Sequence, residues 1–182
     1  RLHGDCHQCP AWAVGSYRCR PPAATEVAVR ISFDLDDTLI CYQAHIPTEP
    51  PQALWPIRAW LNEPLRQGAR ELLRELVAQG HEVGVYTTSF RDPQKVKLWL
   101  RSYGIRASFV YNQAHYDALC NKRGHAQLSK DPRVFGIHMH VDNEDIVATQ
   151  GEQFGFSVVL VAPEDIDWVN KVRVAIRQTV SD

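Results

Sequence analysis

Apolar and polar residues follow two periods along this chain, one of two residues and one of three to four, and the switches between them mark its elements. Val27, Val29, Ile31 and Phe33 alternate with Ala28, Arg30 and Ser32, the pattern of a β-strand running into Asp34. Within 63–79, Leu65, Ala69, Leu72, Leu73, Leu76 and Val77 recur at helical spacing, with Asn62 or Glu63 before Pro64 as a start and Gly80 as a stop. Val83–Tyr86 reads as a second strand, followed by Thr87-Thr88-Ser89. Asp92-Pro93 opens another helix, with Val96, Trp99, Leu100 and Tyr103 on one stripe and Gly104 at its end. Further strands are predicted at 107–111, 137–141 and 157–161 and a short helix at 144–154. A last helix carries Trp168, Val172, Ala175 and Ile176 on one face. Arg30 is out of place if the first strand is central and covered on both faces.

Alternating strands and helices predict an α/β fold: a three-layer, Rossmann-like parallel sheet joined by right-handed crossovers, with helices on both faces. Ligands of such sheets bind beyond the carboxyl ends of the strands, near a switch in strand order, so polar residues at strand ends are the candidates for chemistry. The chain has 182 residues, 45% of them hydrophobic, enough for one domain to bury a core without metal or disulfide support. Residues 27–182 are expected to form that domain. Residues 1–26 mix Cys, His, Pro and Gly without period and read as a loosely ordered N-terminal extension. Residues 40–62 hold four prolines and two tryptophans, Trp55 and Trp60, without clear periodicity. They read as a small flap over the strand ends, or equally as a Pro-rich loop with its tryptophans packed in the core.

Charge narrows the field mainly by exclusion. Twenty basic and twenty-one acidic residues give a formal net charge of −1, with no signature of nucleic acid or of an anionic membrane as partner. No apolar run approaches the length needed to span a bilayer and the first residues lack the apolar core of a secretory signal, so the cytoplasm is the expected compartment. The five cysteines are odd in number and unevenly spread, unlike a disulfide framework. Cys6 and Cys9 form a CxxC near Cys19, His3 and His7. The second pair of a tetrahedral zinc site is missing, and free thiols are the expectation.

The chemistry concentrates at three strand ends. In Phe33-Asp34-Leu35-Asp36-Asp37-Thr38-Leu39, Asp34 and Asp36 stand two apart and share one side if the strand persists that far. Crowded carboxylates repel, and a hard cation such as Mg²⁺ relieves the repulsion while still binding a phosphate. The string FDLDDTL after a hydrophobic strand resembles the first motif, DxDx(T/V), of the haloacid dehalogenase-like hydrolases. That resemblance implies that Asp34 attacks phosphorus and becomes an aspartyl phosphate. Asp36 then protonates the leaving oxygen and activates water, Thr38 braces the loop, and the Asp36 carbonyl joins Asp34 on the metal. Asp37 stands where this family often has Gly.

Three further stretches resemble the family's remaining motifs in the same order. Thr87, with Thr88 or Ser89 as alternatives, matches the hydroxyl that binds a phosphoryl oxygen. Lys130 in Ser129-Lys130-Asp131-Pro132, with Lys122 as alternative, matches the lysine that neutralises nucleophile and phosphoryl group. His140-Val141-Asp142-Asn143-Glu144-Asp145 stands for the metal motif. Its common form GDxxxD is absent, and the Asp-Asn pair resembles the variant of the family's small protein phosphatases, leaving either Asp142 or Asn143 as the direct ligand.

The resemblance spans about 27–178 and implies a magnesium-dependent phosphomonoester hydrolase. A noncatalytic module on the same fold and a phosphotransferase to an acceptor other than water are the alternatives. Neither insert between motifs is long enough for a large cap, which predicts an open site. Such a site suits a phosphorylated macromolecule as well as a small molecule, or closure by a neighbouring subunit of a homo-oligomer. His138 and His140 alternate along a strand and are expected to be structural and not metal ligands.

Overall fold

The computed structural model describes residues 28–50, 63–123 and 128–181. The leader with Cys6, Cys9 and Cys19, the two flap tryptophans and the side chain of Lys122 lie outside the described residues. Five strands form one sheet: β1 (Arg30–Phe33), β2 (Glu82–Tyr86), β3 (Phe109–Tyr111), β4 (Met139–Asp142) and β5 (Ser157–Leu160). All pair in parallel, in the order β3-β2-β1-β4-β5. The helices α1 (Ala69–Ala78), α2 (Pro93–Ser102), α3 (Gln113–Arg123), α4 (Asp145–Phe154) and α5 (Trp168–Ser181) follow the strands in turn, and a 3₁₀ turn, Pro132–Phe135, precedes β4. Right-handed crossovers in this order put helices on both faces, because the chain winds one way from β1 to β3 and the other way from β4 to β5. The expected three-layer α/β architecture is thus the observed one.

The order reverses between β1 and β4, so the crevice of this fold opens at their carboxyl ends. Parallel pairing aligns Phe33 with Val85 on one side and Val141 on the other. Those three residues are fully buried, together with Ile31 and Val83, in the main core between sheet and helices.

Two local readings differ from the structure. The helix expected over 63–79 begins only at Ala69, because Leu65 pairs with Ile40 and Arg66 with Thr48 in antiparallel bridges, and Gly68 turns at φ +85°. Leu65 and Ala69 are both fully buried and so mimic one helical stripe, although only the second is helical. Helix α3 has no comparable stripe. Tyr116 and Cys120, one turn apart, are its anchors in a second cluster with Tyr86, Phe109 and Ile137. Arg30 finds its place at the rim of the sheet, stacked over the Phe109 ring at 4.5 Å and donating to the Tyr111 hydroxyl at 3.0 Å. Among the described residues no helix is long and apolar enough to cross a membrane.

Gly84, in the middle of β2, lets the Phe109 ring lie flat against the backbone: a Cβ there would come within 2.5 Å of that ring. Gly84→Ala is therefore expected to destabilise the fold by about 1–3 kcal/mol in urea unfolding. An unchanged midpoint would mean that Phe109 moves aside freely.

Candidate active site

β1 stops at Phe33, but one more ladder bond, Asp34 N to Val141 O at 2.9 Å, carries Asp34 to the switch point beside β4. The chain then turns tightly. Leu39 N and Ile40 N both donate to Leu35 O, and Asp37 N donates to Ile40 O at 2.8 Å. Asp37 adopts φ 57°, the left-handed region that favours glycine, which gives a physical reason for glycine at this position in the family it resembles. An aspartate tolerates that backbone better than most side chains, and its Oδ1 is held by Gln43 Nε2.

Lys130 arrives from the other side. Tyr86, at the end of β2, accepts from Asp131 N through its hydroxyl at 3.2 Å, and Gln150 Oε1 on α4 accepts from Ser129 N at 3.0 Å. Asp131 then caps the 3₁₀ turn by accepting from Arg133 N. Between these anchors the Lys130 side chain is 1% exposed. Its Nζ lies 2.8 Å from Asp34 Oδ1 and 2.6 Å from Asp142 Oδ2. The Asp142 contact is a directed hydrogen bond. The Asp34 contact is an ion pair that misses hydrogen-bond angles, so Asp34 Oδ1 is a buried oxygen without a directed donor.

Asp142 is the better satisfied of the two carboxylates. Oδ2 also meets His140 Nε2 at 2.8 Å, and Oδ1 accepts from Glu144 N at 2.9 Å. His140 is fully buried, with Nδ1 2.7 Å from Ser32 Oγ on the neighbouring strand. A charge-only acceptor at Asp142 fixes the proton on Nε2. Burial raises the Asp142 carboxyl, but the His140 hydrogen bond and the charges around it outweigh burial and hold it well below the usual carboxylate range. For Asp34 burial prevails over the Lys130 charge, and the carboxyl is pushed up. The Lys130 ammonium, opposed by burial, is held above its usual range by Asp34 and Asp142.

The remaining candidates sit around this core. Thr87, 1% exposed, follows β2. Its backbone N–H donates to Tyr111 O at 3.0 Å and its hydroxyl accepts from Ser89 N, leaving its own proton to donate. Thr38 is buried and donates to Asn143 Oδ1 at 3.2 Å, tying the loop after β1 to the loop after β4. Asp36 does not share the Asp34 environment, because the strand has already ended. It is partly exposed, and Oδ2 accepts from Arg91 Nη1 at 2.6 Å. Arg91 Nη2 also reaches the Tyr42 hydroxyl at 3.0 Å and Glu63 Oε1 at 3.5 Å, while Asn112 Nδ2 donates to the Arg91 carbonyl. Arg91 and Tyr42 went unmarked in the sequence, and Glu63 was marked only as a possible helix start. The one signal for Arg91 was its place four residues after the hydroxyl at the end of β2.

His138 accepts from Arg30 N through Nδ1 at 3.0 Å. Among the described residues no cluster of three or more His, Cys, Asp or Glu side chains could hold a metal. A cation at this site would therefore depend on mixed oxygen donors, which the Asp34 carboxylate, the Asp36 carbonyl and the Asn143 amide provide in kind.

No family model and no curated protein matches the chain. Among solved structures it is similar to a Vibrio cholerae protein provisionally assigned as a 3-deoxy-D-manno-octulosonate 8-phosphate phosphatase. The TM-score is 0.44 and the identity 16%, over 86% of this chain and 87% of that one.

Two outcomes follow from the buried charges. Lys130→Met would leave two carboxylates without their ammonium and is expected to cost about 3–5 kcal/mol at neutral pH in denaturant unfolding. The Asp142 carboxyl is lower in the folded than in the unfolded chain, so its stabilisation is present above about pH 4 and is lost as pH falls towards the folded value. Asp34 contributes with the opposite sign. Asp142→Asn should therefore flatten the loss of stability as pH falls below about 4, and an unaltered acid slope would contradict the depressed Asp142 carboxyl.

Proposed function

We propose that the chain is a magnesium-dependent phosphomonoester hydrolase that works through an aspartyl phosphate on Asp34. The observation that carries this reading is the buried Lys130 ammonium between Asp34 and Asp142, at the carboxyl ends of the strands where the sheet order reverses. A lysine so placed orients one carboxylate oxygen and offsets charge on an incoming phosphoryl group. Asp34 is the group suited to attack, since it has the oxygen without a directed donor, while both Asp142 oxygens are already engaged.

In this reading Asp34 Oδ attacks phosphorus, the bond to the ester oxygen breaks, and the leaving oxygen takes up a proton delivered at Asp36. Water then attacks the phosphorus of the aspartyl phosphate, giving its proton to Asp36, and Asp34 is released with inorganic phosphate. Thr87 donates its hydroxyl proton to a phosphoryl oxygen. Mg²⁺ would be held by the Asp34 carboxylate, the Asp36 carbonyl and, since the Asp142 oxygens are taken, the Asn143 amide oxygen, and it supplies charge neutralisation between carboxylate and phosphate. The Thr38 bond to Asn143 fixes that amide. Two carboxylates sharing one ammonium leave a net negative charge in the buried site, a further reason for a cation there.

Asp34→Asn is expected to remove at least about a thousandfold of Mg²⁺-dependent phosphate release while the circular dichroism spectrum is kept, because an amide is nearly isosteric with a carboxylate but a poor nucleophile. Asp36→Asn should slow both leaving-group departure and breakdown of the phosphoenzyme, and chelation with EDTA should stop turnover reversibly. Wild-type turnover by folded Asp34→Asn protein, measured on acetyl phosphate and on an aryl phosphate, would overturn the reading.

A further inference from the structure

Arg91 touches Asp36 but has no part in the reaction above. Its backbone is fixed from both sides. Buried Asn112, which follows β3, donates from Nδ2 to the Arg91 carbonyl at 3.0 Å, and the next residue, Asp92, caps α2 by accepting from Gln94 N and Lys95 N. Asn112 is held in turn, its Oδ1 accepting from His115 N at 3.2 Å. The guanidinium then reaches in two directions. Nη1 donates to Asp36 Oδ2 at 2.6 Å, while Nη2 donates to the Tyr42 hydroxyl at 3.0 Å and lies 3.5 Å from Glu63 Oε1. The Tyr42 hydroxyl donates to Glu63 Oε2, so the second arm closes into a triangle of contacts that holds the guanidinium independently of Asp36. Asp36 has no such support of its own. Its side chain is 42% exposed beyond the end of β1, and among the described residues Arg91 makes the one hydrogen bond to its carboxylate.

Resting on the phosphohydrolase reading, we propose that Arg91 is a positioning residue for that reaction: it pins Oδ2 of Asp36 and leaves Oδ1 as the oxygen through which the proton passes. A half-exposed carboxylate without a partner samples several rotamers, and proton transfer in the transition state needs one of them. Holding one oxygen on a guanidinium that is itself anchored removes that freedom before substrate arrives. An arginine suits this place because its planar fork serves Asp36 with one nitrogen while Tyr42 and Glu63 hold the other, which the point charge of a lysine cannot do at once. In the first half of the reaction the bond from phosphorus to the ester oxygen breaks with its electron pair, and that oxygen takes the proton from Asp36 Oδ1. In the second half a water oxygen bonds to phosphorus and its proton goes to the same Oδ1. Arg91 gains and loses no proton in either half.

The test compares two leaving groups on the full chain with Mg²⁺ present. Phenol, with a pKa of about 10, departs poorly without a proton, whereas acetate, with a pKa of about 4, needs none. Arg91→Met should therefore lower kcat/KM for phenyl phosphate about tenfold or more and for acetyl phosphate by less than about threefold, because kcat/KM reads the steps up to departure of the leaving group. Arg91→Lys should fall between wild type and Arg91→Met on phenyl phosphate, and it carries the same comparison if Arg91→Met is unfolded by circular dichroism. In an Asp36→Asn background, where the exchanging oxygen is gone, Arg91→Met should cost no more than about a further twofold. Equal losses on the two substrates, or a loss that multiplies with that of Asp36→Asn, overturns the positioning role, while wild-type turnover that Asp34→Asn abolishes leaves the phosphohydrolase reading standing. Failure of the wild type on both substrates overturns that reading, and the role of Arg91 with it.

Discussion

A single ammonium group has to neutralise two carboxylates that the sheet holds out of water, and most of the architecture around the strand ends follows from that requirement. Removing three charges from solvent costs several kcal/mol per ion unless contacts are short and the remaining hydrogen-bonding capacity is used. Asp142 meets the condition fully, with Lys130, His140 and the Glu144 N–H around its two oxygens. Asp34 meets it only in part. The difference separates two chemically similar groups into one whose oxygens are all engaged and one that keeps hydrogen-bonding capacity unused.

The shell around these three charges is built from the sheet itself. Ser32 on β1 and His140 on β4 are paired in register, and their side chains form the contact that presents His140 Nε2 to Asp142. Tyr86 at the end of β2 holds the backbone at Asp131, so the lysine is delivered by the strand on the other side of β1. Each of the three central strands thus sends one polar group into a place where unpaired polarity is costly.

Much of the fold was legible in the sequence because its signal is local. The alternation from Val27 to Phe33, the stripe from Val96 to Tyr103 and the Asp92-Pro93 start all reflect forces acting within a few residues, and Asp92 does cap α2 by accepting from Gln94 N and Lys95 N. Legibility fails where neighbours far along the chain decide. Leu65 looked helical because its burial comes from the bridge to Ile40, and α3 left little pattern because two residues anchor it. The order of the candidate site residues along the chain was readable, and the structure brings Asp34, Lys130 and Asp142 into contact. The partner of Asp36 was not readable, because a lone arginine in a loop has no periodicity. Only the folded chain sets Arg91 against Asp36, Tyr42 and Glu63. His140 was expected to be structural, and its contacts give that expectation a physical content: it presents a donor to Asp142 and is bonded to Ser32.

The pairing of β1 with β4 has a consequence for how the protein comes into being. Ser32 and His140 are 108 residues apart in the chain, and contacts of such separation are slow to form because a long loop must be closed before they return any energy. β1, β2 and β3 can be synthesised and paired while β4 is still missing, and at that stage Asp34 has neither its ammonium nor its neighbouring carboxylate. During translation from the N-terminus, the buried charge cluster is therefore completed only after the first three strands are made, and a chain stopped short of residue 142 carries Asp34 without the neighbouring carboxylate that shares its ammonium.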